Sequence, residues 1–226
     1  MAKNCHDKHR QRLRKRFVQE GLDSFEVHNA LELLLFNSIP RGDTNELAHI
    51  LLDTFGSFSG VLDADHDNLL KVKGVGERTA TLLELIPELC RLYMEDKAKP
   101  HKTYNTTEAL CDLFIPKFIG RTQECVYAAC FDNASKLIAC QMLAKGTADT
   151  VLFPVKEIVQ FACNRNAANV AIAHNHPMGL CNPSSSDVTN STDLKETLRK
   201  IQIRLVDHII VGKNGDALSL VEYGVL

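Results

Sequence analysis

Apolar residues in the first part of the chain recur at helical spacing. Ala30, Leu31, Leu34 and Leu35 make one group, Leu47, Ile50 and Leu51 a second, and Leu82, Leu83 and Ile86 a third. Each would line one side of a helix with 3.6 residues per turn. The intervening segments "IPRGDTN", "TFGS" and "KGVGE" carry the proline, glycine and small polar residues of turns. The pattern predicts an all-α region of short helices. Residues 95–108, "EDKAKPHKTYNTTE", are charged, poor in apolar side chains and interrupted by a proline, the composition of a linker. The predicted organisation is a helical domain over 1–95, a linker over 96–105 and a second domain over 106–226.

Beyond the linker the period changes. "ECVYAACF" and "KLIACQML" read as short strands joined by the turn "DNAS", and "GTADTVLF" as a third strand. Pro154 opens a predicted helix, "PVKEIVQFACNRN", at a position where its missing N–H is tolerated. "ANVAIAH" has the composition of a buried strand and "SSSDVTNSTDLKETLRKIQ" that of a helix; "RLVDHIIV", "GKNG" and "DALSLV" predict a second hairpin. Helices interleaved with a mixed sheet make this half a layered α/β domain. There is no internal repeat and no low-complexity segment.

Bulk composition narrows the setting. The 226 residues are 45% hydrophobic and 24% charged, ordinary values for a globular protein, and the formal net charge is −2. The eight cysteines, at 5, 90, 111, 125, 130, 140, 163 and 181, include no Cys-x-x-Cys pair. That argues against a disulfide scaffold and a zinc ribbon, and for free thiols in a reducing compartment. The basic N-terminus lacks the apolar core of a signal peptide, and no apolar run is long enough to span a bilayer. The expected location is the cytoplasm, with no membrane partner.

The most informative stretch is "AHNHPMGLCNPSSSD", residues 173–187. Residues i and i+2 of a strand share a face, so His174 and His176 can point the same way while Asn175 points to the other. The loop then reverses the chain, and Asp187 falls in the first turn of the next helix. Two imidazoles and a carboxylate are a three-ligand set that leaves a fourth position of zinc open, the catalytic rather than the structural pattern. Such an ion acidifies water and polarises a carbonyl. A plainer reading stands beside it. Ser184-x-x-Asp187 is close to a capping box, an aspartate in a first turn suits the helix dipole, and the histidines are then incidental.

The string His174-Asn175-His176-Pro177-x-Gly179-x-x-x-Pro183-Ser184-x-x-Asp187 resembles the JAMM (MPN-plus) metal motif, and the flanks "NAANVAIAHNHP" and "LVDHIIVG" resemble the RadC family in particular. The resemblance runs from about residue 7 to the C-terminus. It implies a JAMM, cytidine-deaminase-like layered domain that binds Zn2+ through His174, His176 and Asp187. It further implies that Ser184 helps hold a developing oxyanion. The general base it implies is a glutamate on an early strand, for which Glu124 in "TQECVYAACFD" is the counterpart. Glu157 is a rival on a predicted helix, and at Gln141 relatives carry a glutamate that would compete for the role.

Neighbouring residues are read more plainly. Cys181 lies in the metal loop, where a thiolate could ligate zinc, but it reads better as a variable loop position. Asp207 and His208 alternate across a strand, so only one of them can back the site; a satisfied structural pair is the favoured reading.

In the N-terminal half, "LLKVKGVGERTATLLEL" (69–85) resembles a helix-hairpin-helix module, in which a Gly-x-Gly turn offers backbone N–H groups to a phosphate. Gly74 and Gly76 would form the turn, with Lys71, Lys73 and Arg78 beside it. "LLDTFGSFSGVLDADHDNLL" resembles a partner hairpin with Gly56 in its first turn. Residues 1–100 nevertheless carry 14 basic against 16 acidic side chains, and only the run Lys8, Arg10, Arg12, Arg14, Lys15, Arg16 is strongly basic. That run suits either phosphate contacts or a solvated helix.

Two functions follow. One is a zinc metallopeptidase or isopeptidase acting on a protein or peptide, with DNA as a partner of the helical domain. The other is a non-enzymatic DNA-binding, DNA-repair-associated factor with a structural metal site. A zinc deaminase would need His-x-Glu with Pro-Cys-x-x-Cys, and neither is present.

Overall fold

Small polar residues and glycines at the element boundaries set the helical register of the first ninety or so positions. The computed structural model describes residues 2–98, 100–146 and 153–226. Its chain divides into two compact units, residues 1–89 and 90–226. In the first, α1 (Ala2–Glu20), α2 (Val27–Leu35), α3 (Asn45–Phe55), α4 (Phe58–Leu62), α5 (His66–Lys71) and the start of α6 (Glu77–Lys97) follow one another, with no strand among the described residues. Gly56 ends α3 at φ +79°, a left-handed conformation that suits glycine. Ser57 then caps α4 by accepting the Gly60 N–H, and Asp65 caps α5 by accepting that of Asn68. Leu31, Leu35, Leu47, Leu51, Val61, Leu69 and Leu83 form the core, so the helical periodicity corresponds to the buried faces; Ile50 instead stays 37% exposed.

The basic run of α1 is partly consumed inside this unit. Arg10 is 5% exposed, donates to the backbone carbonyls of Ile39 (2.8 Å) and Gly42 (2.9 Å), and lies over the Phe36 ring. It thereby satisfies acceptors of the α2–α3 connection. Arg16 is bound to Ser24 and stacked on Phe25. Arg10 therefore lacks the solvent-directed side chain that a phosphate contact would need.

The second unit contains the end of α6, α7 (Thr107–Phe114), a 3-10 turn (Ile115–Phe118) and a five-stranded mixed sheet. The apolar pattern does not predict α7. Its signal is Thr106, which accepts the Ala109 N–H and caps the helix. Strands β1 (Cys125–Phe131), β2 (Leu137–Lys145), β3 (Asn169–His176), β4 (Arg204–Gly212) and β5 (Ala217–Ser219) lie in the order β2-β1-β3-β4-β5. Only β3 and β4 are parallel, and α9 (Ser185–Lys200) connects them. The strand expected over 146–153 falls largely on residues 147–152, outside the described residues.

Helices cover both faces of the sheet. Leu110, Phe114 and Phe118 pack with Ala129, Phe131, Ala171, Ala173 and Ile209 on one side. On the other, α8 (Val155–Asn164) and α9 bring Ile158, Phe161, Leu194 and Leu198 against Ala128, Cys130, Val170 and Ile172. With both faces covered, β1 is buried at every position, which explains its unbroken apolar run; the edge strand β2 is partly exposed throughout.

Candidate metal centre

Strand β3 ends on His174 and His176, two residues apart and therefore on one face, the face that α9 covers. The chain turns through residues 177–183 and enters α9 at Ser184. Ser184 accepts the Asp187 N–H on its hydroxyl, and the Asp187 carboxylate accepts the Ser184 N–H at 2.8 Å, a complete capping box. The plain reading of Ser184-x-x-Asp187 is thus met, and the same geometry aims the carboxylate at the histidines. Asp187 Oδ1 lies 3.2 Å from His174 Nε2 and Oδ2 lies 3.5 Å from His176 Nε2. The two Nε2 atoms are 3.0 Å apart.

These separations suit a cation. Ligand atoms ~2.0–2.1 Å from a tetrahedral zinc stand roughly 3.3–3.4 Å from one another. Hydrogen bonding supports the same conclusion. His176 Nδ1 is 3.0 Å from the Leu180 carbonyl, an acceptor, so Nδ1 carries the proton and a neutral ring has its lone pair on Nε2. That lone pair faces the Nε2 of His174, an arrangement that needs a proton or a cation between them. The donor set therefore fits zinc.

Electrostatics concentrate negative charge here. Burial opposes ionisation of Asp187 and is the largest single influence, but the adjoining His174 and His176 rings and the Ser184 hydroxyl outweigh it and hold the carboxyl far below the usual carboxylate range. His176 is raised, chiefly by its hydrogen bond to Asp187.

Glu124 directly precedes β1. Val126 pairs with His174 in the antiparallel β1–β3 ladder, so continuing the register by two residues sets Glu124 across from His176, on the same face. It is half-buried, and its charge contributes to raising His176. Asn175 lies on the opposite face and reaches across to the chain beside Glu124. Its Oδ1 accepts the Cys125 N–H at 2.8 Å and its Nδ2 donates to the Gln123 carbonyl at 3.2 Å, bracketing Glu124.

The remaining positions separate clearly. The Ser184 hydroxyl lies 2.6 Å from Asp187 Oδ2, at the rim of the centre. Cys181 points to Asp216 (3.0 Å) rather than to the histidines, and burial together with that carboxylate pushes its thiol up. Gln141 is exposed on β2 opposite Ala128, and Glu157 is exposed on α8; neither joins the His174–His176–Asp187 group.

The pair Asp207–His208 is not simply structural. Asp207 accepts from Ser219 Oγ and from the Val221 and His208 N–H groups on the far side of the sheet, while burial raises its carboxyl. His208 stands directly behind the centre, its Nε2 2.7 Å from His174 Nδ1 and its Nδ1 2.6 Å from Ser191 Oγ. Burial pushes His208 well below the ordinary imidazole value. Ser191 carries no motif of its own in the sequence; its only signal is that it lies one helical turn beyond Asp187 on α9.

In the helical unit, Lys71, Lys73, Gly74, Gly76 and Arg78 are all exposed around the start of α6, and Gly74 adopts φ +97°. Lys71 donates to Asn68 Oδ1 at 2.7 Å. Acidic groups stand close by: His66 bridges Glu77 and Glu84. No helix among the described residues is long and apolar enough to cross a membrane.

Known proteins agree with this architecture. A family model described as a RadC-like JAB domain matches residues 104–225. A UPF0758 protein of Ruegeria pomeroyi is 35% identical over 206 residues, 91% of this chain and 92% of its own. One from Paraburkholderia xenovorans is 33% identical over 199 residues, 88% of this chain and 79% of its own. One from Fusobacterium nucleatum is 30% identical across the whole of both chains. The mixed sheet between helical layers, the His174–His176–Asp187 group at the end of β3 and these matches together make the chain a member of the RadC family, with a C-terminal JAB domain of the metallohydrolase-like type.

Proposed function

We propose that the JAB domain is a zinc-dependent hydrolase of amide bonds, a metallopeptidase or isopeptidase whose substrate is a protein or peptide. The observation that carries this reading is the convergence of His174 Nε2, His176 Nε2 and the Asp187 carboxylate at separations of 3.0–3.5 Å. These three residues would hold the ion and leave one position open. When bound, zinc lowers the pKa of water towards ~7 and polarises a carbonyl. Glu124, on the same sheet face, takes the proton from the attacking water and passes it to the leaving amine. Ser184 turns its hydroxyl from Asp187 towards the oxygen on which charge develops. The seven described cysteines are free, which suits a reducing cytoplasm.

A second role belongs to the helical unit. The left-handed Gly74 and the exposed Lys73 and Arg78 at the start of a long helix suit a helix-hairpin-helix contact with a DNA backbone. On this reading residues 1–95 form the nucleic-acid module, 96–105 the linker and 106–226 the hydrolase. A non-enzymatic DNA-associated factor with a structural metal is the alternative.

Metal analysis of untagged protein, paired with a hydrolysis assay, separates them. About one zinc per chain is expected. Glu124→Gln should retain it while hydrolysis of peptide or isopeptide substrates falls at least ~10²-fold. Zinc bound without any hydrolysis that depends on Glu124 removes the hydrolase reading and leaves the DNA-associated factor, and a chain that takes up no zinc when zinc is supplied removes the metal from both.

A further inference from the structure

The hydrogen bonds behind His174 have a direction. On α9, Ser191 Oγ donates back to the Asp187 carbonyl four residues earlier, so its proton is committed and its lone pairs are available. His208 Nδ1, 2.6 Å away, is then the donor to Ser191. A neutral His208 has its lone pair on Nε2, which faces His174 Nδ1 at 2.7 Å. His174 therefore donates from Nδ1, and its own lone pair is on Nε2, the atom 3.0 Å from His176 Nε2 and 3.2 Å from Asp187 Oδ1.

We propose that Ser191 and His208 are positioning residues that lock His174 in the Nδ1–H form and so present its Nε2 lone pair to the metal before the metal arrives. The relay starts and ends on the same residue. Asp187 supplies a ligand oxygen from its side chain and, from its backbone carbonyl, the acceptor that orients the Ser191 hydroxyl. The capping box that begins α9 thereby sets both the carboxylate and the far end of the relay. His208 and Ser191 are 0% exposed, so no solvent molecule replaces either partner. The same ring is also held against rotation, since turning His174 to present Nδ1 would break its bond to His208.

This inference rests on the zinc reading, and the experiment separates the two. Zinc affinity is measured by competition with a chromogenic chelator for the full-length wild type, His208→Phe and His208→Gln, with circular dichroism of each zinc-free chain as the check on folding. Phenylalanine fills the imidazole space but cannot accept a proton; glutamine places a carbonyl oxygen near the Nε2 position. Loss of an outer hydrogen-bond partner lowers metal affinity by about 10–100-fold, so His208→Phe should bind zinc about 10–100-fold more weakly and His208→Gln should recover most of the loss. Wild-type affinity in His208→Phe, or an equal loss in His208→Gln, overturns the relay while leaving the metal site intact. If His208→Phe does not fold, Ser191→Ala decides: weaker binding restored by Ser191→Thr supports the relay, and unchanged binding overturns it. A wild type that binds no zinc overturns the metal reading and the relay with it.

Discussion

Asn175 holds Cys125 by a side-chain-to-backbone hydrogen bond of 2.8 Å, although the two lie on different strands of the sheet. With the second bond from Asn175 to the Gln123 carbonyl, the amide substitutes for a backbone partner on either side of Glu124. The strand that carries His174 and His176 therefore also fixes the glutamate's position.

Asn175→Ala leaves a buried N–H and a carbonyl without their partner. Unsatisfied buried groups cost about 1–3 kcal/mol each, and a loss of this order is expected in denaturant unfolding of the zinc-free chain. Hydrolysis should fall further than zinc affinity, because Glu124 loses its brace while the ligands keep theirs. Equal falls in both would mean that Asn175 supports the sheet end as a whole.

Asp187 closes the capping box of α9 and is a ligand on the proposed function; two substitutions divide these roles. Asp187→Asn keeps an oxygen for the Ser184 N–H but removes the charge; Asp187→Ala removes both. Zinc content should fall in both. Thermal stability of the zinc-free chain should fall further in Asp187→Ala, which leaves the Ser184 N–H without its side-chain acceptor. Undiminished zinc in Asp187→Ala would exclude it as a ligand.

If the start of α6 touches a DNA backbone, Lys73 and Arg78 supply the charge, since Lys71 is already bound to Asn68 and Arg10 to backbone carbonyls. The double change Lys73→Ala/Arg78→Ala should weaken duplex binding without regard to sequence. It should also reduce the slope of log affinity against log salt by about two, near one for each phosphate contact. An unchanged slope would place any DNA contact elsewhere.

His66 provides a pH test of the same region. Its Nδ1 and Nε2 face Glu84 and Glu77 at 2.7 and 2.9 Å, so both nitrogens donate and the ring is charged. The Glu84 hydrogen bond is the largest cause of its raised pKa, followed by that of Glu77. A raised value means that the clasp is complete below the ordinary 6.5 and is lost as pH rises through the higher folded value. An NMR titration should place the His66 midpoint above 6.5, and Glu84→Gln should lower it more than Glu77→Gln does. A midpoint at or below the ordinary value would contradict the clasp.

Much of the candidate site is local and therefore legible in the chain. His174 and His176 share a face because a strand has a period of two, and Asp187 returns to them because a short loop and a capping box bring the start of α9 beside the strand end. The helical stripes that bury Leu31, Leu35, Leu51 and Leu83 are equally local. What lay beyond the sequence depends on pairing between distant segments. Glu124 comes beside His176 only through the antiparallel register of β1 and β3. His208 faces His174 because the β3–β4 ladder slips between Val170 and Ala171, pairing Val170 with Leu205 but Ala171 with Asp207. Without that one-residue bulge the alternation would reverse, and Asp207 would stand behind His174 in its place. The apolar pattern records which segments are strands; the hydrogen-bond register, set by packing on both faces of the sheet, decides which side chains of those strands meet.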